Sequence, residues 1–219
     1  RTCAELAIDA AGGRRETETP TTVGECLRVE TAQEHVRRIG LDWPRLLAAN
    51  SNDQAGHALA LNALATCPLL RTSSPVDWLA MRNWLHHHLL HMDPAAWLSA
   101  WLSGAGDWLA AWCDQHPAWL PSLLRQVRTA DDTAQTLCAD LALKPHAVRE
   151  HLQTLGAALA LKPGFAMAPT WHGATAHTGP WARQQTPHDQ PALSPWALLG
   201  SRLAELVRLC LPEGGSWLR

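Results

Sequence analysis

The sequence predicts an all-α protein, an irregular multi-helix bundle interrupted by one long Pro-, Gly- and His-rich loop. Three observations carry this. Leu outnumbers Val and Ile together by 35 to nine in 219 residues; strands favour β-branched residues, whereas Leu and Ala lose little rotamer freedom in a helix. Second, a capping residue followed by Pro recurs at Ser74-Pro75, Asp93-Pro94 and Ser194-Pro195, the pattern of a helix start. Third, Trp196, Leu199, Leu203, Leu206 and Cys210 fall on one stripe at helical spacing.

Taken in order, residues 1–30 read as an irregular N-terminal segment, with a polar stretch at 12–22 in the manner of a loop. A helical domain follows over 31–161. It opens at Thr31-Ala32-Gln33-Glu34, a capping box, and Gly40 is expected to end that first element. Asp42-Trp43-Pro44 starts another that stops near Asn50, and 54–66 reads as a helix ending at Pro68. Ser74 is the expected cap of a helix running to about Met92. Asp93 caps 94–103, and after the break Gly104-Ala105-Gly106, Asp107 caps 108–115. Helices continue at about 118–128, 132–142 and 145–161. Residues 162–194 form the long loop, too irregular for a regular element, and 195–219 supply a C-terminal helix that packs on the helical domain. No repeat of fixed period occurs.

Bulk chemistry excludes several classes. At 47% apolar and 17% charged residues the chain can bury a core. With 18 basic and 20 acidic residues the net charge is −2, so no global field favours nucleic acid or anionic lipid. Apolar runs are too short to span a bilayer. The six Cys (3, 26, 67, 113, 138, 210) never form a C-x-x-C, which points to free, mostly buried thiols and a reducing compartment. That places the chain in the cytoplasm. It opens Arg1-Thr2-Cys3-Ala4-Glu5, without a signal-peptide pattern or an initiator Met, and reads as a piece of a longer protein.

Twelve Trp stand against one Phe and no Tyr, so no phenol is available for acid–base work. Trp97, Trp101, Trp108 and Trp112 share one side of a broken helix pair. Such a stripe can stack bases or line a groove; packing is the commoner use. His86, His87, His88 and His91 form the densest titratable cluster. His87 and His91 lie one helical turn apart, a spacing able to bind a metal, yet Met81, Leu85, Leu89 and Met92 define the buried face and leave the imidazoles as a solvated one. Cys113-x-x-His116 is half of a zinc site with no second half at matching spacing. Trp171-His172 to His177 lies in the long loop, where function concentrates. No phosphate loop, nucleophile elbow or H-E-x-x-H occurs, and no complete catalytic or cofactor-binding constellation is present.

Leu137, Leu141, Leu143, Val148, His151, Leu152, Leu155, Leu159 and Leu161 fall where a helix-turn-helix of the LuxR type buries its residues, and Val148-Arg149-Glu150-His151-Leu152 resembles that family's recognition-helix entry. A DNA-binding regulator over 131–161 is therefore an alternative reading. Against it, residues 117–161 carry four basic and four acidic side chains (Arg125, Arg128, Lys144, Arg149; Asp131, Asp132, Asp140, Glu150), where a duplex binder needs positive excess.

The order of features over about 76–211 is similar to the middle of the DabA family of inorganic-carbon transporter subunits. Met92-Asp93-Pro94-Ala95-Ala96-Trp97 looks like that family's Leu-Asp-x-Gly-x-Ala-x-Trp segment; Gly106-Asp107-Trp108 with Trp112 looks like its Gly-aromatic segment. Pro163-Gly164-Phe165-Ala166-Met167, with Trp171 close behind, resembles its Pro-Gly-Trp-Ala-Gly-Met turn, and Leu193 to Leu211 with Arg202 and Glu205 its Leu-rich helix. Pro94 and Phe165 depart from the pattern, the turn's second Gly is missing, and 172–191 is an insertion. The resemblance implies a helical part of a protein related to β-carbonic anhydrases, hydrating carbon dioxide at a zinc whose ligands lie outside this chain, docked on a proton-conducting membrane subunit. A plain helical adaptor is the third reading.

Overall fold

The computed structural model describes residues 20–47, 54–71, 75–130, 149–175, 178–184 and 195–214. Helices dominate these residues, as the composition predicts. The chain divides into two compact units, one of Arg1–Thr129 with Leu206–Arg219, the other of Ala130–Glu205.

In the first unit, α1 (Pro20–Arg37) runs without interruption into a π-helical turn (Arg38–Asp42) and then α2 (Trp43–Leu47). It starts inside the expected N-terminal loop and passes through Thr31, which is therefore no cap. Glu34 instead accepts a hydrogen bond from Arg38 Nε at 2.7 Å, and Arg38 Nη1 donates to Asp42 at 2.6 Å, bracing the α-to-π change on its solvent side. Gly40 does not end the helix either. A Cβ there would sit 2.6 Å from Leu64 of α3 (Gln54–Ala65), so glycine is required by the close approach of two helices.

After α4 (Pro68–Arg71), α5 (Trp78–Trp84) is capped by Asp77, whose side chain accepts from Ala80 N at 2.9 Å, rather than by the expected Ser74, which lies outside the described residues. It continues as a second π-helical segment, Leu85–Leu90. Asp93 caps α6 (Pro94–Gln115) as expected, accepting from Ala96 N at 2.8 Å with Pro94 opening the helix. The predicted restart at Asp107 is absent: α6 runs through Gly104–Gly106. A straight helix would separate Trp97 and Trp112 by about 22 Å along its axis, yet their rings are 5.8 Å apart. The helix therefore bends sharply between them, at the glycines, where a bend is cheapest. α7 (Trp119–Ala130) completes this part.

Arg28 ties α1 to the end of the chain. It is 6% exposed, donates from Nε to Leu209 O (2.7 Å) and from Nη2 to Leu211 O (2.8 Å), and lies 3.8 Å from the centre of the Trp78 ring. A guanidinium on the last carbonyls of a helix satisfies orphan acceptors and complements the helix dipole. Glu25 receives both Arg28 Nη1 (3.3 Å) and Trp78 Nε1 (2.6 Å).

In the second unit, α8 (Arg149–Leu161) is followed by a two-residue hairpin, β1 (Thr170–Trp171) and β2 (Ala174–Thr175), then α9 (Pro180–Gln184). The stretch expected to be a structureless loop thus contains a hairpin and a short helix. The final helix, α10 (Pro195–Cys210), is buried nearly all round over 200–211 rather than along one stripe. Its Glu205, 0% exposed, is held bidentately by Arg183 of α9 at 2.6 and 2.5 Å, a fork geometry that satisfies both carboxylate oxygens. Among the described residues no helix is long and apolar enough to cross a membrane.

Gly40→Ala is expected to cost about 1–3 kcal/mol by overpacking, read by chemical denaturation. Adding Leu64→Ala removes the clash, so the double variant should lose less than the sum of the two singles; strict additivity would show that the close approach is not the reason for glycine.

Candidate functional site

The chemically densest region lies in the first unit, where the π-helical segment Leu85–Leu90 meets α6 and α7. The widened turn places Leu85, Leu89 and Leu90 together inside, each at most 1% exposed, while His87 and His91 are exposed and His86 and His88 half-buried. His91 ends the segment with φ 54°, a left-handed conformation that non-glycine residues adopt sparingly and that marks constrained sites.

A π turn and a left-handed end leave carbonyls without partners in their own helix. Here tryptophans satisfy them. Trp119 Nε1 donates to His88 O at 3.0 Å and Trp112 Nε1 to Leu90 O at 3.1 Å; Trp84 Nε1 donates likewise to Ala63 O at 2.9 Å near the end of α3. Around them the indoles pack edge to face and in stacks, with Trp97 meeting Trp108 and Trp112 edge-on at 5.2 and 5.8 Å and Trp101 face-on at 6.1 Å. Trp97, Trp101 and Trp112 are buried, so this stripe is core. Trp97 Nε1 is the exception to the donor rule: buried, with no hydrogen-bond partner.

The four sequence-predicted ligand candidates are brought near one another without forming a metal site. Cys113 is buried, and burial pushes its thiol up to about 12; its carbonyl accepts from Arg125 Nη1. His116 Nδ1 lies 2.8 Å from Trp112 O, and since a carbonyl only accepts, that nitrogen carries the proton. His91 feels the charge of His116 and of His86, His88 and His87, whereas His87 pairs edge-on with His86 at 4.6 Å. Among the described residues no group of three or more His, Cys, Asp or Glu is placed to hold a metal. Partial desolvation first, and the neighbouring imidazoles second, hold His88 and, although it reaches solvent, His91 below the usual histidine range. The thiols of Cys67 (up to about 11) and Cys210 are raised by burial in the same way, and Cys26 is exposed.

Sequence reasoning missed Arg28 and the Arg183–Glu205 pair, because partners 181 and 22 residues away leave no local pattern. Of the helix-turn-helix positions, Leu137, Leu141, Leu143 and Val148 lie outside the described residues. Leu155 is half-buried, but Leu159 and Leu161, expected to be inside, are 56% and 79% exposed.

No family model and no solved structure matches the chain. A hydrogenase expression/formation protein, HoxV of Cupriavidus necator, is 33% identical to it over 212 residues, 96% of this chain and 54% of that protein. The chain thus spans about half the length of the relative it matches. This finding corrects the description as inorganic-carbon transport, DabA and zinc, since the relative's name concerns hydrogenase expression and formation. The markers that suggested DabA have local causes instead: Asp93-Pro94 is a helix cap, the Gly104–Gly106 stretch is a bend, and Gly164 takes a turn conformation at φ 75°.

Two outcomes are expected. Trp112→Phe orphans the Leu90 carbonyl whereas Trp97→Phe removes an unpaired donor, so Trp112→Phe should be more destabilising by about 1–2 kcal/mol; equal losses in urea melts would deny the capping role. For pH, a histidine held low in the folded state lets the unfolded chain bind more protons below about 6.5, so stability is complete above that value and falls as pH drops further. Thermal midpoints from pH 7.5 to 5.5 should fall less steeply in His88→Gln/His91→Asn than in the parent.

Proposed function

We propose that this chain serves in the expression or formation of a hydrogenase, as a helical accessory segment that acts by binding rather than by its own catalysis. The observation that carries the reading is the 33% identity sustained over 96% of the chain to a protein named for that role. The chemistry of the described residues agrees with a binding part. The thiols of Cys67, Cys113 and Cys210 are buried and held protonated, Glu205 is neutralised by Arg183, and the tryptophan stripe is spent on packing and on capping helix ends. Large apolar side chains also stand exposed on the first unit, among them Leu46, Leu59, Leu79 and Leu102 at 53–65%, beyond what a stripe of core-facing positions requires.

The test is genetic. An in-frame deletion of the coding region in its own host is expected to lower hydrogenase activity in extracts severalfold or more, while growth that does not call on hydrogenase continues; the intact gene supplied in trans restores it. Hydrogenase activity at the parental level in the deletion strain would overturn the reading.

A further inference from the structure

The second unit contains a cleft of about 430 Å³ that the reading above does not use. Its walls come from α8 and from the turn and hairpin that follow. Leu155 and Ala158 form one side, Phe165 and the buried Trp171 the aromatic part, and Lys162 and His172 the polar part. The volume lies in the range of sites for small molecules. Among the described residues no acidic side chain lines it, and there the Lys162 ammonium is the one full charge it offers.

The local backbone is built to hold these groups. Lys162 N still bonds Ala158 O at 2.9 Å as the last turn of α8, and Phe165 N bonds Lys162 O at 3.1 Å, which fixes the ring one turn beyond the ammonium. Gly164 takes φ 75° to make that reversal. In the hairpin, Trp171 pairs with Ala174, leaving His172 and Gly173 as a two-residue connection at φ 50° and 81°. Two successive positive φ values make a type I′ turn, where Asn, Asp or Gly is the ordinary first residue. A histidine there is strained, and its imidazole stands edge-on to Trp171 at 4.8 Å, 89°, on the cleft.

We infer that this cleft binds a small planar aromatic anion, its ring against Phe165 and Trp171 and its charged end at Lys162 and His172. Flat apolar walls select a flat body. An ammonium and an imidazole lining the same cleft, with no carboxylate among its described lining residues, select a negative end. The inference stands apart from the hydrogenase reading, since it concerns one unit's own cleft, and the binding experiment neither uses nor reports on hydrogenase activity.

The probe is 1-naphthoate, titrated into the full chain and followed by amide and indole chemical shifts. Saturable binding is expected with a dissociation constant on the order of 1 mM or tighter, the scale for a ligand of this size. The neutral isostere 1-naphthamide and the variant K162Q should each bind about fivefold more weakly, and K162R should retain binding. Lys162 is exposed, so K162Q leaves the packing intact. His172→Gly suits the turn better than the native residue, so it should fold at least as stably while weakening binding. No saturable shift up to about 10 mM, naphthamide binding as tightly as naphthoate, or K162Q and H172G both binding like the parent would each overturn the inference.

Discussion

The structure depends on tryptophan N–H groups bonded to backbone carbonyls at helix ends. A helix leaves its last carbonyls unpaired, and a π turn adds further mismatch, so a buried helix end needs donors from elsewhere. In the first unit Trp112 and Trp119 supply them to Leu90 and His88, and Trp84 adds a further donor to the Ala63 carbonyl, which also accepts from Thr66. Indole suits the task because it brings a large apolar body and a single donor that never has to accept. The absence of Tyr and the scarcity of Phe acquire a physical sense: a phenol adds an acceptor that must itself be satisfied, and a phenyl ring brings no donor.

Arginine does the same work where a charge can be tolerated. Arg28 spans α1, Trp78 and the last carbonyls before the C-terminus, and Arg183 holds the fully buried Glu205. The buried charges here, Arg28 and Glu205, each direct strong hydrogen bonds at a partner, the condition under which such groups are retained rather than expelled. Neither looks like a reactive centre. His88 and His91 are likewise held toward the neutral form by desolvation and by neighbouring imidazoles, so these two contribute constraint more than reactivity.

This division suits the accessory, binding role proposed for the chain. One unit spends its unusual residues on capping and packing, and the other carries a small cleft with a strained histidine at its lip. Strain at a turn persists where the surroundings over-determine it, and here the aromatic wall beside it is the available reason.

Composition and spacing by themselves determined that the chain is helical. The Leu excess, the Asp93-Pro94 cap and the Met81, Leu85, Leu89 face are local properties, decided within one or two turns of helix. Local rules also misplaced boundaries. Thr31-Ala32-Gln33-Glu34 and Gly40 read as a start and a stop, yet helix runs through both, while the break read at Gly104–Gly106 is a sharp bend within one helix. Tertiary structure alone decided their roles: Gly40 is small because Leu64 presses on it, and the glycines of α6 bend it so that Trp97 and Trp112 meet. The cleft also lay beyond the sequence, although Trp171-His172 marked its neighbourhood, because Lys162 and Phe165 become part of a site only when a turn and a hairpin bring them against the same wall. The physical reason is common to all of these. Propensity and capping act between neighbours in the chain, whereas close approach, orphan carbonyls and cavities are set by residues that only folding brings together.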